Sequence, residues 1–199
     1  MLKLKDKKEL TADLAIRQAR LAMKAIIPLS QHIGKAANPI VKTGDLVKTG
    51  QLIADSAEGS VSAPVHSSIS GKILAIDDLA HPVLGRARAV VIASDGLDQK
   101  DEFKPIASVE TAERLSPEDI RKAVLTAGIV GMGGAGFPSH IKLNPPKPVD
   151  SFILNGAECE PYLTSDNRLM IERTDEIIRG IGLAARCVGA KNVYIAIED

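Results

Sequence analysis

Tryptophan is absent and aromatic residues make up only 3% of this 199-residue chain, so it lacks the stacking platforms that single-stranded nucleic acid and carbohydrate sites rest on. Excess charge is missing as well. The 25 basic and 25 acidic side chains cancel, which argues against nucleic acid, heparin or an anionic membrane as a direct partner. No apolar run approaches the ~20 residues of a spanning helix, because Gly, Pro or charge interrupts each one within a few positions. Met1 to Glu9 alternates apolar and charged side chains, so no secretory leader is expected and cytoplasmic residence is the default. Cys159 and Cys187 stand apart, with no Cys-x-x-Cys spacing. That excludes a zinc site or iron–sulfur cluster built from this chain alone and leaves two buried, reduced thiols as the expectation.

What is present is 45% hydrophobic residues, enough for a buried core in one medium domain or two small ones. Thr11 to Ala25 contains no Gly or Pro, opens on a capping-competent Thr and sets Asp13 four residues before Arg17, which predicts a short amphipathic helix. Beyond Pro28 the texture changes. Val, Ile, Ser and Thr interleave with Gly and Pro from Ile33 to Ile76, a pattern of many short strands. Within it Val41 to Leu46 is echoed by Val47 to Leu52, and Gly44 and Gly50 are expected to take the positive φ of tight turns. Two copies are too few for a solenoid. Asp77 and Asp78 are expected in a turn, and His66 and His81, without partners at ligand spacing, read as ordinary surface or hydrogen-bonded histidines.

"VKTGDLVKTGQLIA" followed by "SAPVHSSISGKILAI" resembles the barrel-sandwich hybrid of biotinyl and lipoyl domains. Members of that family carry a prosthetic group on a hairpin lysine between the two halves. Gln51 to Gly71 contains no lysine, so covalent carriage of biotin or lipoate has no attachment point and the module reads as scaffold.

Ser94 to Leu115 is polar and irregular and reads as a connection. Ser116-Pro117-Glu118-Asp119 then signals a helix start, with Ser at the N-cap, Pro at the first helical position and acids against the positive end of the dipole. The helix is expected to reach Ala127 and to close on Gly128. Four glycines follow within Gly131 to Gly136. Gly131, Gly133 and Gly136 match G-x-G-x-x-G, yet a capped helix precedes them where a dinucleotide fold requires a strand, so the match carries little weight. Its physics still holds. Glycines let backbone N–H groups approach an anion or a flat ring closely, although a loop that merely packs tightly would also use them.

Ser151 to Asn155 is an apolar run suited to a buried parallel strand, and Asn155, Glu158 and Glu160 follow it where ligands bind in open α/β sheets. A helix over Arg173 to Val188 and a strand over Asn192 to Ile197 complete an expected right-handed β-α-β unit.

"GMGGAGFPSHIKL" and "NGAECEPYLTSDNRLM" resemble the flavin- and NADH-binding motifs shared by the flavoprotein subunit of respiratory complex I and the C subunit of the Rnf electron transport complex. The preceding "IPLSQHIGKAANPIVKTGDLVKTGQLIA" is similar to the Rnf protein in particular, and the resemblance runs from about Ile26 to Asp199. It implies an α+β / α/β chain: a helical segment over 1–27, a barrel-sandwich hybrid over 28–93, a linker over 94–115 and part of an FMN/NADH-binding domain over 116–199. It further implies an NADH-oxidising subunit of an ion-translocating complex, peripheral on the cytoplasmic face of the bacterial inner membrane. Hydride would pass from NADH to FMN, and single electrons would leave through iron–sulfur clusters towards partner subunits. Gly131, Gly133, Gly134, Ala135, Gly136 and Phe137 would form the flavin loop, with Lys142 near the flavin phosphate. Asn155, Glu158 and Glu160 would contact flavin and dinucleotide hydroxyls.

Two positions depart from the complex I pattern: Met132 stands where that motif has Arg, and Ala157 where it has an acid. The resemblance also implies later flavin-domain residues and ferredoxin-like cysteines, so the chain is expected to be an N-terminal portion, inactive in turnover alone. A non-enzymatic reading stays open. The A subunit of the sodium-translocating NADH:quinone reductase is similar in module order without using the flavin site, and the loop could be an inherited turn in a docking protein.

Overall fold

The computed structural model describes residues 6–102, 111–132, 134 and 136–198. They form two compact units, Arg20–Asn144 and Met1–Ala19 with Pro145–Asp199.

In the first unit, β1 (Lys24–Pro28), β2 (Asn38–Pro39), β3 (Leu46–Val47), β4 (Leu52–Asp55), β5 (Val65–His66), β6 (Gly71–His81) and β7 (Gly85–Ser94) make two antiparallel sheets, ordered β1-β7-β6-β3 and β2-β4-β5. Both sheets feed one core. Ile27, Val90, Ile92 and Ile73 come from one, Ile53, Ala54 and Val65 from the other, and burying these apolar side chains is the main driving force for the unit. Gly44 and Gly50 take φ values of 97° and 87°, as the repeated hexad predicts. The expected all-β module is therefore present.

Strand β6 corrects one reading. Asp77 and Asp78 are not a turn but lie within it, opposite Ala89 and Arg88, because the hairpin runs on past the core and reverses only at Pro82–Leu84. The chain continues through a connection whose residues 103–110 lie outside the described residues, then enters α1 (Pro117–Thr126) and α2 (Ser139–Lys142).

The second unit is built on β8 (Ser151–Asn155) and β9 (Asn192–Ala196), paired in parallel from Ser151↔Asn192 to Asn155↔Ala196. Between them lie α3 (Ser165–Glu172) and α4 (Thr174–Val188), the latter burying Ile181, Ala185 and Cys187 and closing on Gly189 at φ 72°. The β8–α4–β9 order and the parallel pairing match expectation, but β8 is not the buried strand expected, since none of its residues is buried and Ile153 is exposed, and α3 is an addition.

The helix expected over Thr11 to Ala25 does not form. A single 3-10 turn at Lys8–Leu10 is followed by a turn at 11–13 and then by chain without regular secondary structure up to β1. The segment is tied elsewhere: the Ile16 N–H donates to Glu172 at 3.0 Å and the Thr11 hydroxyl to the Tyr162 carbonyl at 3.0 Å, while just before it the Asp6 carbonyl accepts the Tyr162 N–H at 2.7 Å. Residues 6–16 thus form a strap across the segment that joins β8 to α3.

Candidate functional site

The glycine-rich segment is positioned from both ends. At the start of α1, the Asp119 N–H donates to Ser116 Oγ at 3.1 Å and the Ser116 N–H to Asp119 Oδ2 at 3.2 Å, a reciprocal cap that fixes where the helix begins. Hydrogen bonds from its neighbours hold the Asp119 carboxyl below the usual carboxylate range, Ser116's side chain first and its backbone second. Gly128 ends the helix at φ 65°.

Val130 and Pro138 then form an antiparallel bridge, with the Gly131 N–H donating to the Phe137 carbonyl at 2.9 Å and the Ser139 N–H to the Ile129 carbonyl at 3.0 Å. The segment is therefore a loop closed at its neck. Gly133 and Ala135 lie outside the described residues.

The remaining glycines of the loop face different surroundings. Gly136 sits at φ 66°, and a β-carbon there would lie 2.7 Å from the Gln31 carbonyl oxygen and 3.0 Å from His32 Cα, so this glycine docks the loop on the β module. A β-carbon at Gly134 would meet nothing within 4 Å. At Gly131 it would lie 3.7 Å from the Lys142 ammonium nitrogen, which α2 carries back to the loop neck. Lys142 is the one Lys or Arg in positions 128–142, and burial lowers the pKa of His140 on the same helix.

Met132, Gly134 and Gly136 line a cleft of about 960 Å³. The hairpin tip, His81 to Leu84, lines it too, and no Lys, Arg, Asp or Glu among the described residues does. Burial pushes the pKa of His66, on the cleft wall, below its ordinary value despite the opposing pull of Asp101, so this ring is neutral at pH 7. His32 is held as a neutral tautomer: Nε2 accepts the Ala63 N–H at 3.0 Å, leaving Nδ1–H for the Ile33 carbonyl at 3.0 Å. The cleft is neutral and largely apolar, with a cation at the neck of the loop. Such a combination fits a flat heteroaromatic ring attached to a phosphate.

Asn155, Glu158 and Glu160 belong to the other unit. Asn155 Oδ1 accepts the Ala157 N–H at 3.1 Å, turning the chain as it leaves β8. Glu158 is 6% exposed, and its carboxylate caps α3, accepting the Ser165 hydroxyl at 3.0 Å and the Asn167 N–H at 3.1 Å. Burial alone would raise its pKa. The Asp166 and Asn167 N–H groups, the Ser165 hydroxyl and the Lys8 ammonium outweigh that and hold it below the ordinary value. Lys8 donates to the Glu158 carbonyl and pairs with Glu198 at 2.7 Å, tying the carboxyl ends of β8 and β9 together.

Glu160 is exposed and accepts the Cys159 thiol at 3.5 Å. The expectation of two buried thiols is corrected: Cys187 is buried on α4, but Cys159 is exposed on the turn after β8. Lys8, Ser165 and the His81 hairpin tip are absent from the sequence-derived set. "TSDN" before an apolar run is the available signal for α3 and its cap.

Residues 2–97 match the family model described as the RnfC barrel sandwich hybrid domain, and residues 124–199 match the Nuo51 FMN-binding domain. Across 196 residues the chain is 45% identical to the C subunit of the Na(+)-translocating ferredoxin:NAD(+) oxidoreductase complex of Acetobacterium woodii, covering 97% of this chain and 43% of that protein. It is likewise 45% identical to the C subunit of the proton-translocating ferredoxin:NAD(+) oxidoreductase complex of Clostridium ljungdahlii, covering 98% and 42%. With the C subunit of the ion-translocating oxidoreductase complex of Rhodobacter capsulatus the identity is 46%, over 96% of this chain and 37% of that one. The chain thus spans less than half the length of these relatives.

Proposed function

Because this chain belongs to the RnfC family, the C subunits of ion-translocating oxidoreductase complexes, we propose that its glycine-rich loop and Lys142 hold FMN and serve electron transfer between that flavin and NADH. One observation carries the reading: the open face of Gly134 borders an uncharged cleft while the Lys142 ammonium stands beside Gly131 at the loop neck. Bound FMN would supply the chemistry of accepting a hydride and releasing electrons singly.

The chain's own residues would do the rest. Gly131, Gly133, Gly134 and Ala135 would let the backbone approach the ring, while Gly136 fixes the loop on the β module and the Phe137 carbonyl closes its neck. Lys142 neutralises the phosphate. Asn155 and the exposed Glu160 would accept from ribose hydroxyls of a dinucleotide, while Glu158 keeps their turn in place through α3.

Electrons would leave for iron–sulfur clusters outside this portion, since its two cysteines, exposed Cys159 after β8 and buried Cys187 on α4, are too few to hold one, so this portion alone would bind flavin without turning over. The relatives are named as subunits of complexes that couple ferredoxin and NAD(+) to ion movement, so the partners here would be the other subunits of such a complex. The place proposed for it is peripheral, on the cytoplasmic face; no helix among the described residues is long and apolar enough to cross a membrane.

Titration of the purified chain with FMN, followed by flavin fluorescence, tests the reading. Saturable binding is expected, and Gly134→Val, whose β-carbon meets no neighbouring atom in the fold, should abolish it. Absence of binding by the unaltered chain would overturn the flavin reading in favour of a docking role.

A further inference from the structure

We infer that the β module, beyond acting as scaffold, supplies one wall of the flavin-ring site through the apolar tip of its β6–β7 hairpin, Val83 and Leu84. This rests on the FMN reading above and extends it to residues within 2–97, outside the match to the FMN-binding domain.

Three observations carry it. First, the hairpin is longer than the core requires. Strands β6 and β7 have 11 and 10 residues against two to five in the other strands of the module, and no residue of β6 after Ile73 or of β7 before Ala89 is buried. The outer half runs beyond the buried residues, and its tip, His81 to Leu84, lines the cleft.

Second, the tip is braced. His81 Nδ1 accepts the N–H groups of Val83 at 3.2 Å and Leu84 at 3.0 Å, which leaves Nε2–H to donate to the Ser30 carbonyl at 2.9 Å. One imidazole thus fixes the turn and ties it to the segment that follows β1. A tip that served only to reverse the chain would need no such tie.

Third, the braced turn presents large apolar side chains to water. Val83 is 84% exposed and Leu84 57%, and Met132 on the loop side of the cleft is 90% exposed. Charge complementarity selects the occupant. An isoalloxazine ring is flat and uncharged and suits walls without ionised groups, whereas its phosphate suits Lys142 at the loop neck; a peptide partner would bring charges that nothing here answers.

Lumiflavin, the ring without ribityl phosphate, separates ring contact from charge. It and FMN are titrated by fluorescence into the unaltered chain, Val83→Asp and Met23→Asp. The last makes a comparable charge change at a residue that is 89% exposed and off the cleft. Val83→Asp should weaken both flavins about tenfold through lost apolar contact and desolvation of the carboxylate, with the melting temperature unchanged, and Met23→Asp should weaken neither. Lumiflavin binding that is unaffected by Val83→Asp overturns the inference, whether FMN weakens through charge repulsion or binds as before, and leaves the tip to a protein contact. No saturable binding of either flavin to the unaltered chain overturns the FMN reading itself and this inference with it.

Discussion

Arg168 and Glu172, paired at 2.7 Å one turn apart on α3, take between them the two backbone groups that Ala12 and Ile16 would join in a helix. The Ile16 N–H donates to Glu172 at 3.0 Å, and the Ala12 carbonyl accepts from Arg168 at 3.3 Å. An ion pair of α3 therefore stands in for the i to i+4 bond of the N-terminal segment and holds that segment out of a helix, as a strap. The Ile16 amide first, and Arg168 second, keep the Glu172 carboxyl below its ordinary value.

Glu172→Ala should release the strap without unfolding either sheet of the β module. Hydrogen exchange is the direct measurement: the Ile16 amide loses its protection, while amides of the β6–β7 hairpin keep theirs. Unchanged protection at Ile16 would mean that the strap is held by its Asp6 and Thr11 contacts alone.

The same carboxylates set a pH response. Glu158 and Glu172 both have folded values below the ordinary 4.5, so their contribution to stability is fully present above that value and is lost as pH falls through the folded values. Protonation removes acceptors for the Asn167 and Ile16 N–H groups. Exchange at those two amides, corrected for the intrinsic pH dependence, should accelerate as pH is lowered below about 4.5, with core amides such as that of Val90 following only at lower pH.

The elements legible in the sequence are those whose determinants are local. Ser116 and Asp119 cap α1 across three residues, Gly128 ends it, and Ser151 to Asn155 and Asn192 to Ala196 announce strands by their own apolar runs. Thr11 to Ala25 misleads because what decides it, Arg168 and Glu172, lies about 150 residues away. Asp77 and Asp78 look like a turn because they are polar, yet polar pairs are what a hairpin carries where it leaves the core. The candidate site divides in the same way. Glycine spacing marks the loop, but only folding pairs it with the His81 tip, and only folding shows that Glu158 already has α3 as its partner.

Two glycines of one loop should respond very differently to the same substitution. Gly136→Ala places a methyl 2.7 Å from the Gln31 carbonyl at a φ of 66° and is expected to cost about 1–3 kcal/mol in urea unfolding. Gly134→Ala meets nothing within 4 Å and should stay within about 0.5 kcal/mol. Equal effects would place the docking of the loop somewhere other than Gly136.

Ile53 is 0% exposed at the centre of the module's core, so Ile53→Ala should cost about 2–5 kcal/mol through lost transfer free energy and the cavity left behind. Leu46, 77% exposed on β3, gives the comparison: Leu46→Ala should change stability by no more than about 0.5 kcal/mol. Denaturant midpoints at constant slope would measure both.

Lys142→Met keeps the length of the side chain and removes its charge, which separates the phosphate from the ring in the proposed flavin site. A charged hydrogen bond to phosphate contributes about 1.5–3 kcal/mol, so FMN should bind roughly ten- to a hundredfold more weakly to the variant. Riboflavin has no phosphate and should bind both proteins alike, and the salt dependence of FMN affinity should become shallower in the variant as the attraction to be screened is removed. Parallel loss of riboflavin and FMN affinity would mean that Lys142 holds the loop through its position beside Gly131 rather than neutralising an anion there.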